Sequence, residues 1–268
     1  MKICQISDTH IGITTEGQLK VMLRAAAAEK PDLLVHCGDY GGTFEGGKCV
    51  KRTLVLMRKY FPTTPIISTI GNHDYWCVSP KRKKVQTWDG SFKYIKKERP
   101  GPEDFAANME LIRESFKAYN VHFLDKDGLY RHPDFPGVVF IGSSGWYNNP
   151  NPPTNDSRWL PIGLEGDTNR FILKMTEDDL FRAEADLKSF EPWQTLIFVS
   201  HFPVVNTGRD YKGAFEDFSW RESLADYFYG NYNCQHFLCG HAHQLHKGPL
   251  RYECGPDYNR PTYQIIEV

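Results

Sequence analysis

The sequence predicts an α/β protein whose mixed sheets are covered by helices. Short apolar runs rich in β-branched residues recur along the chain, and amphipathic helical stretches separate the early ones. Most runs stop at Gly, Asp, Asn or His, which places polar, chemistry-bearing residues at strand ends.

The strand-length runs are Lys2–Ser7, Leu33–Cys37, Ile66–Ile70, Val121–Leu124, Val138–Gly142, Thr195–Ser200, Phe237–Cys239 and Tyr263–Val268. The first helical stripe is Leu19, Met22, Leu23, Ala26 and Ala27, spaced for one helix face. Cys49, Thr53, Leu56, Met57 and Tyr60 form the second, and Phe105, Met109, Ile112, Phe116 and Tyr119 the third. A fourth helix is expected from Thr176, whose hydroxyl can cap it with Asp179 three residues on. Its buried stripe would be Leu180, Ala183, Leu187 and Phe190. Strand alternating with helix in the early part argues for parallel crossovers. Two stretches, about 76–102 and 146–170, break the pattern. Loops of that length inside a compact unit are often functional. The chain therefore reads as a single domain, 1–268, carrying two inserts.

At 268 residues, 40% apolar and 24% charged, the chain can bury a substantial core. No apolar run approaches the ~20 residues that span a bilayer. Met1-Lys2-Ile3-Cys4 turns polar too soon for a signal peptide and reads as the start of a strand. The seven cysteines are odd in number and contain no C-x-x-C pair, with Cys4, Cys37 and Cys239 inside apolar runs. Reduced thiols and a cytoplasmic location are the expectation, with no membrane partner. A net charge of −1 argues against a general polyanion binder, but the charge is uneven. Trp76 to Pro100 holds eight Lys/Arg against two Asp/Glu, and the remainder of the chain has a net −7.

Five short clusters follow predicted strands: Asp8-Thr9-His10, Gly38-Asp39, Gly71-Asn72-His73-Asp74, His201 after Ser200, and Gly240-His241-Ala242-His243. Alone, the first four are turn signals or an incidental histidine, and Gly240-His241-Ala242-His243 is the more suggestive of a metal. Together they supply carboxylate, amide and imidazole donors, the set that suits Zn, Mn or Fe ions. In extended backbone, residues two apart project to one side, so Asp8 with His10, and His241 with His243, can each reach one site. His36, by contrast, lies within an apolar run and reads as a hydrogen-bonded core residue.

The order D-x-H, G-D, G-N-H-D, H, G-H-x-H resembles the signature of the calcineurin-like metallophosphoesterases, from Asp8 to His243 with every motif intact. The resemblance implies a four-layer α/β/β/α sandwich, two mixed sheets flanked by helices, with two divalent metal ions at one edge. Carried onto this chain, it gives Asp8, His10 and His243 to one ion and Asn72, His201 and His241 to the other, with Asp39 bridging them. His73 would face a phosphate-ester substrate as the acid catalyst, and Asp74 would orient its ring and favour the imidazolium. Water activated between the ions would attack phosphorus.

Protein Ser/Thr phosphatases of that superfamily extend two motifs to G-D-x-H-G and G-D-x-V-D-R-G. Here Ser7 precedes Asp8, and Asp39 continues as Tyr40-Gly41-Gly42, so neither extension is present. Ser7-Asp8-Thr9-His10-Ile11-Gly12 looks more like the opening of phosphodiesterases and DNA-repair nucleases. The nucleases carry further DNA-binding segments, for which the stretch after His243 leaves little room. The basic insert also holds Trp76, Trp88, Phe92 and Tyr94, a mixture that suits nucleotides or single-stranded nucleic acid. A solvated loop with its aromatics packed on the core is the alternative. Trp146, Tyr147 and Tyr40 are expected to contact substrate. A non-catalytic binding scaffold on the same fold would show eroded ligands, and none is eroded here. Monoester or diester preference and oligomeric state stay open.

Overall fold

The computed structural model describes residues 1–42, 46–75, 82–86, 92–97, 102–144, 182, 185, 187–203, 222–243, 245–248, 251–254 and 260–268. One sheet contains β1 (Lys2–Ile6), β2 (Leu33–Cys37), β3 (Ile66–Thr69), β6 (Val121–Phe123) and β13 (Gln264–Glu267). Its order is β13-β1-β2-β3-β6, parallel except for β13, which runs antiparallel to β1. The crossovers are α1 (Glu16–Ala28), α2 (Gly46–Tyr60) and α4 (Pro102–Ala118), as the alternation predicts. Thr15 caps α1 in a reciprocal capping box with Gln18.

The second sheet contains β7 (Tyr130–His132), β8 (Phe135–Ser143), β9 (Thr195–Ser200), β10 (His236–Cys239), β11 (Leu245–Lys247) and β12 (Arg251–Cys254). Its order is β11-β12-β10-β9-β8-β7, with four parallel strands inside two antiparallel edges. Strands buried on both faces are apolar at consecutive positions, and alternate residues serve different layers. Ile197 and Val199 point between the sheets with Leu33, Val35 and Ile67. Leu196 and Phe198 point outward to Phe228 of α6 (Glu222–Tyr232). Leu34 and Ile66 point the other way, onto Leu23, Leu54 and Phe116 of the first helical layer. The result is a four-layer α/β/β/α sandwich.

Gln5 crosses the seam between the sheets. Its amide donates to the Cys239 and Tyr252 carbonyls at 2.9 and 3.2 Å and accepts from Gln264 at 2.7 Å. Such a buried amide is tolerable because these polar atoms are matched. The described cysteines are all free and buried.

Several elements depart from the expectation. The basic insert contains a hairpin, β4 (Arg82–Gln86) with β5 (Phe92–Lys97), whose side chains lie outside the description, as does any cap over the site. A Lys/Arg-rich strand pair shows no apolar alternation to read. Most of the helix expected from Thr176 also lies outside the described residues. Arg182 and Ala185 have helical backbone, and Leu187–Ser189 closes a 3₁₀ turn with Leu187 buried. Three helices unanticipated in sequence are α3 (Asn72–Tyr75), α5 (Leu124–Asp127) and α6, whose run of Tyr, Phe, Gly and Asn obscures any helical stripe. Among the described residues no helix is long and apolar enough to cross a membrane.

Candidate metal centre

The five motifs meet at one edge, where parallel strands of both sheets end. Asp8 follows β1, Asp39 follows β2, α3 (Asn72–Tyr75) follows β3, His201 follows β9 and His241 follows β10. Strand carboxyl ends are where α/β sheets bind ligands. Beyond the strands, the first two turns continue to pair: Asp8 N–H donates to Gly38 O at 3.0 Å, His10 N–H to Asp39 O at 3.2 Å and Ile11 N–H to Tyr40 O at 2.9 Å. Asp8, Asp39, His10, His241 and His243 all have positive φ, between 41° and 68°. Non-glycine residues held there store strain, and such strain clusters at functional sites. Two glycines make the close approach possible. A Cβ on Gly240 would sit 1.9 Å from Ser7 Oγ, and one on Gly71 would sit 2.2 Å from Asp39 Oδ1.

Two groups of donors result. Asp8 Oδ1 lies 3.6 Å from His10 Nε2 and 3.7 Å from His243 Nε2, and the His10 and His243 rings stack at 5.1 Å. Around His201, Nε2 is 3.4 Å from Asp39 Oδ2, 3.2 Å from Asn72 Oδ1 and 3.3 Å from His241 Nδ1. Asp39 Oδ2 also lies 3.8 Å from His10 Nε2, so that carboxylate stands between the groups. Asp8–His10–His243 and Asp8–Asp39–His201 each bring their ligand atoms within 4.8 Å of one another.

Hydrogen bonds behind the histidines fix which nitrogen faces inward. His10 Nδ1 lies 3.2 Å from Gly41 O, and His201 Nδ1 lies 2.8 Å from Cys37 O. A carbonyl can only accept, so the proton sits on Nδ1 and the Nε2 lone pair faces the cluster. The His10 and His201 Nε2 lone pairs then face the Asp8 and Asp39 carboxylates, acceptor against acceptor, which a cation or an added proton must reconcile. Among the described residues, buried Asp8 Oδ1 has no hydrogen-bond partner. These donors therefore fit divalent ions. Without an ion, burial opposes charge on His201, yet the facing Asp39 carboxylate pushes it up to about 9. Burial also opposes charge on Asp39, and His201 and His73 hold it well below the usual carboxylate range.

His73 stands at the rim. Its side chain is 14% exposed, and Nε2 is 4.0 Å from Asp39 Oδ2. Three expectations are corrected here. Asp74 does not orient the His73 ring: its oxygens accept from four backbone N–H groups, those of Asp39, Tyr40 and Gly71 at 2.9 Å and Gly41 at 3.3 Å. Nor is an imidazolium favoured, because burial brings His73 down to about 4. Tyr40 is not a substrate contact. Its side chain is fully buried, its hydroxyl is 2.6 Å from Ser68 Oγ, and its ring stacks on His36 at 3.7 Å. Tyr40→Phe is expected to cost about 1 kcal/mol of stability. Urea denaturation would measure that loss, while turnover should stay at the wild-type level. Trp146 and Tyr147 lie outside the described residues.

The sequence pattern of the calcineurin-like phosphoesterases matches residues 1–245. The chain belongs to that family. Among solved structures, this member of the family is similar to phosphopantetheinyl hydrolase (PptH) from Mycobacterium tuberculosis, with a TM-score of 0.65 at 16% identity over 98% of this chain and 95% of that one. It also resembles a putative 5'-nucleotidase from Staphylococcus aureus, with a TM-score of 0.48 at 10% identity over 95% and 48% of the two chains. Purple acid phosphatase PPD1 from yellow lupin seeds gives 0.46 at 14% identity over 91% and 38%. No curated protein matches the sequence. At 16% identity the likeness to the mycobacterial hydrolase speaks to the fold, a phosphoesterase sandwich.

Sequence reasoning missed the acceptor role of Asp74 and the part played by Ser144. The Ser144 carbonyl takes the backbone N–H groups of His201 and Phe202, both at 3.1 Å. The signal for Ser144 was its position at the end of a strand beside β9.

Proposed function

We propose that this phosphoesterase is a single-domain hydrolase that cleaves phosphate esters with two divalent ions of the Mn, Fe or Zn class. Asp8, His10 and His243 would hold one ion, Asn72, His201 and His241 the other, and Asp39 would serve both. The observation that carries this is that His10 and His201, whose Nδ1 protons are held outward by carbonyls, turn their Nε2 lone pairs onto the Asp8 and Asp39 carboxylates. When bound, the ions supply Lewis-acid activation of water and neutralise phosphoryl charge.

The chain's own residues do the rest. Asp39 places negative charge between the two donor sets and keeps them in register. Neutral His73 offers a ring N–H to a phosphoryl or leaving oxygen at the rim. Asp74 holds the backbone of the Asp39 turn. The basic hairpin begins seven residues after Tyr75, and its composition favours nucleotides or nucleic-acid ends as substrates.

The test is hydrolysis of p-nitrophenyl phosphate, its bis-ester and a short oligonucleotide, with Mn²⁺ or with chelator. Turnover with Mn²⁺ that chelator abolishes is the expected result, and the preferred ester assigns monoesterase, diesterase or nuclease. Turnover unaffected by chelator would refute the metal-dependent reading. A protein that binds no metal and hydrolyses nothing would be a scaffold on this fold.

A further inference from the structure

His36 takes no part in the chemistry above, yet both of its ring nitrogens are engaged in the fully buried interior. Gly38 N–H donates to Nδ1 at 3.1 Å. A nitrogen that accepts carries no proton, and burial keeps this ring neutral, bringing it down to about 3. The single ring proton therefore sits on Nε2, which faces Thr9 Oγ1 at 3.3 Å and donates to it. The Thr9 hydroxyl in turn donates to Tyr40 O at 3.3 Å. Tyr40 lies flat on the same ring at 3.7 Å, tilted by 13°.

The bonds run from the turn after β1 to the turn after β2 and back. Thr9 sits between Asp8 and His10, while Gly38 and Tyr40 flank Asp39. Asp8, His10 and Asp39 have φ of 49°, 41° and 55°. Strained backbone persists only where its surroundings over-determine it. A residue with one acceptor and one donor in a fixed plane meets that need, whereas the aliphatic neighbours Leu34 and Val35 could not.

The geometry points to His36 as a positioning residue that, in one tautomer, clips the Asp8–His10 turn to the Gly38–Tyr40 turn and so sets the spacing of Asp8, His10 and Asp39. This rests on the metal-dependent reading proposed above. It makes Thr9 a functional part of the Asp-x-His motif rather than a spacer.

Mn²⁺ affinity of the full chain, by calorimetry and by the electron paramagnetic resonance of free Mn²⁺, tests the clip without recourse to turnover. His36→Phe keeps the ring and its stacking but removes both hydrogen bonds. Thr9→Val keeps the shape but removes the hydroxyl, and Thr9→Ser restores it. Thr9→Val and His36→Phe are each expected to weaken Mn²⁺ binding by about 10–100-fold, the range for partners standing behind metal ligands. Thr9→Ser should bind like wild type, and the double variant should bind no worse than the weaker single one, because both cut one clip. If His36→Phe does not fold, the Thr9→Val and Thr9→Ser pair decides alone. Wild-type Mn²⁺ affinity in Thr9→Val, even with a lowered melting temperature, would overturn the clip alone. A wild-type protein that binds no Mn²⁺ would overturn both the metal reading and the clip.

Discussion

Asp39→Asn is expected to lower metal-dependent hydrolysis by on the order of 10³-fold or more, the equivalent of losing at least ~4 kcal/mol of transition-state stabilisation. The wild-type carboxylate presents Oδ2 to three imidazole Nε2 atoms: His201 at 3.4 Å, His10 at 3.8 Å and His73 at 4.0 Å. Oδ1 accepts the His73 backbone N–H at 2.9 Å. An amide of the same shape can keep the Oδ1 bond, so the turn should stay folded. It cannot supply the negative charge that both donor sets face. kcat/KM on an aryl phosphate at saturating Mn²⁺ is the measurement, with circular dichroism and the melting temperature as checks on the fold. Turnover within tenfold of wild type would remove Asp39 from its proposed place between the ions.

Asp74→Ala should do its damage to folding. Four backbone N–H groups would lose their acceptor at once in a fully buried site. Removing one partner from a buried, charge-assisted network costs roughly 3–5 kcal/mol. That is a large part of the ~5–15 kcal/mol that holds a typical domain together. Urea denaturation should show the midpoint falling steeply with little change in slope. If stability is unaffected and only turnover drops, Asp74 acts in catalysis instead, as its place beside His73 first suggests.

The corrections to Asp74 and Tyr40 share one cause. Sequence adjacency was read as spatial adjacency. Neighbouring residues on a helical turn do not face each other, so Asp74 points back into the protein while His73 points to the rim. In the turn after β2, where Gly38 and Asp39 have φ of 89° and 55°, Tyr40 enters the core while Asp39 faces the cluster. The ligand types themselves were legible, because carboxylate, amide and imidazole at strand ends are chemically conspicuous. The helix-covered mixed sheets were legible in the apolar runs and helical stripes, and the four layers in the family resemblance; that Leu33, Val35 and Ile67 face one layer while Leu34 and Ile66 face another emerges only in the structure. The bonds behind the ligands were not legible. They run through the Gly41, Cys37 and Ser144 carbonyls, and main-chain atoms leave no mark on a side-chain pattern.

The donors are divided by the architecture. Asp8, His10, Asp39 and Asn72 come from ends of the first sheet, and His201, His241 and His243 from ends of the second. Ions bound as proposed would bridge that division and also act as fasteners between the two halves of the sandwich. Thermodynamic linkage gives the size of this effect: a native-state ligand present at 100 times its dissociation constant adds about 2.7 kcal/mol to resistance against unfolding. Metal supply would thus govern how long the protein survives as well as how fast it turns over, and a metal-starved cell would hold less of it.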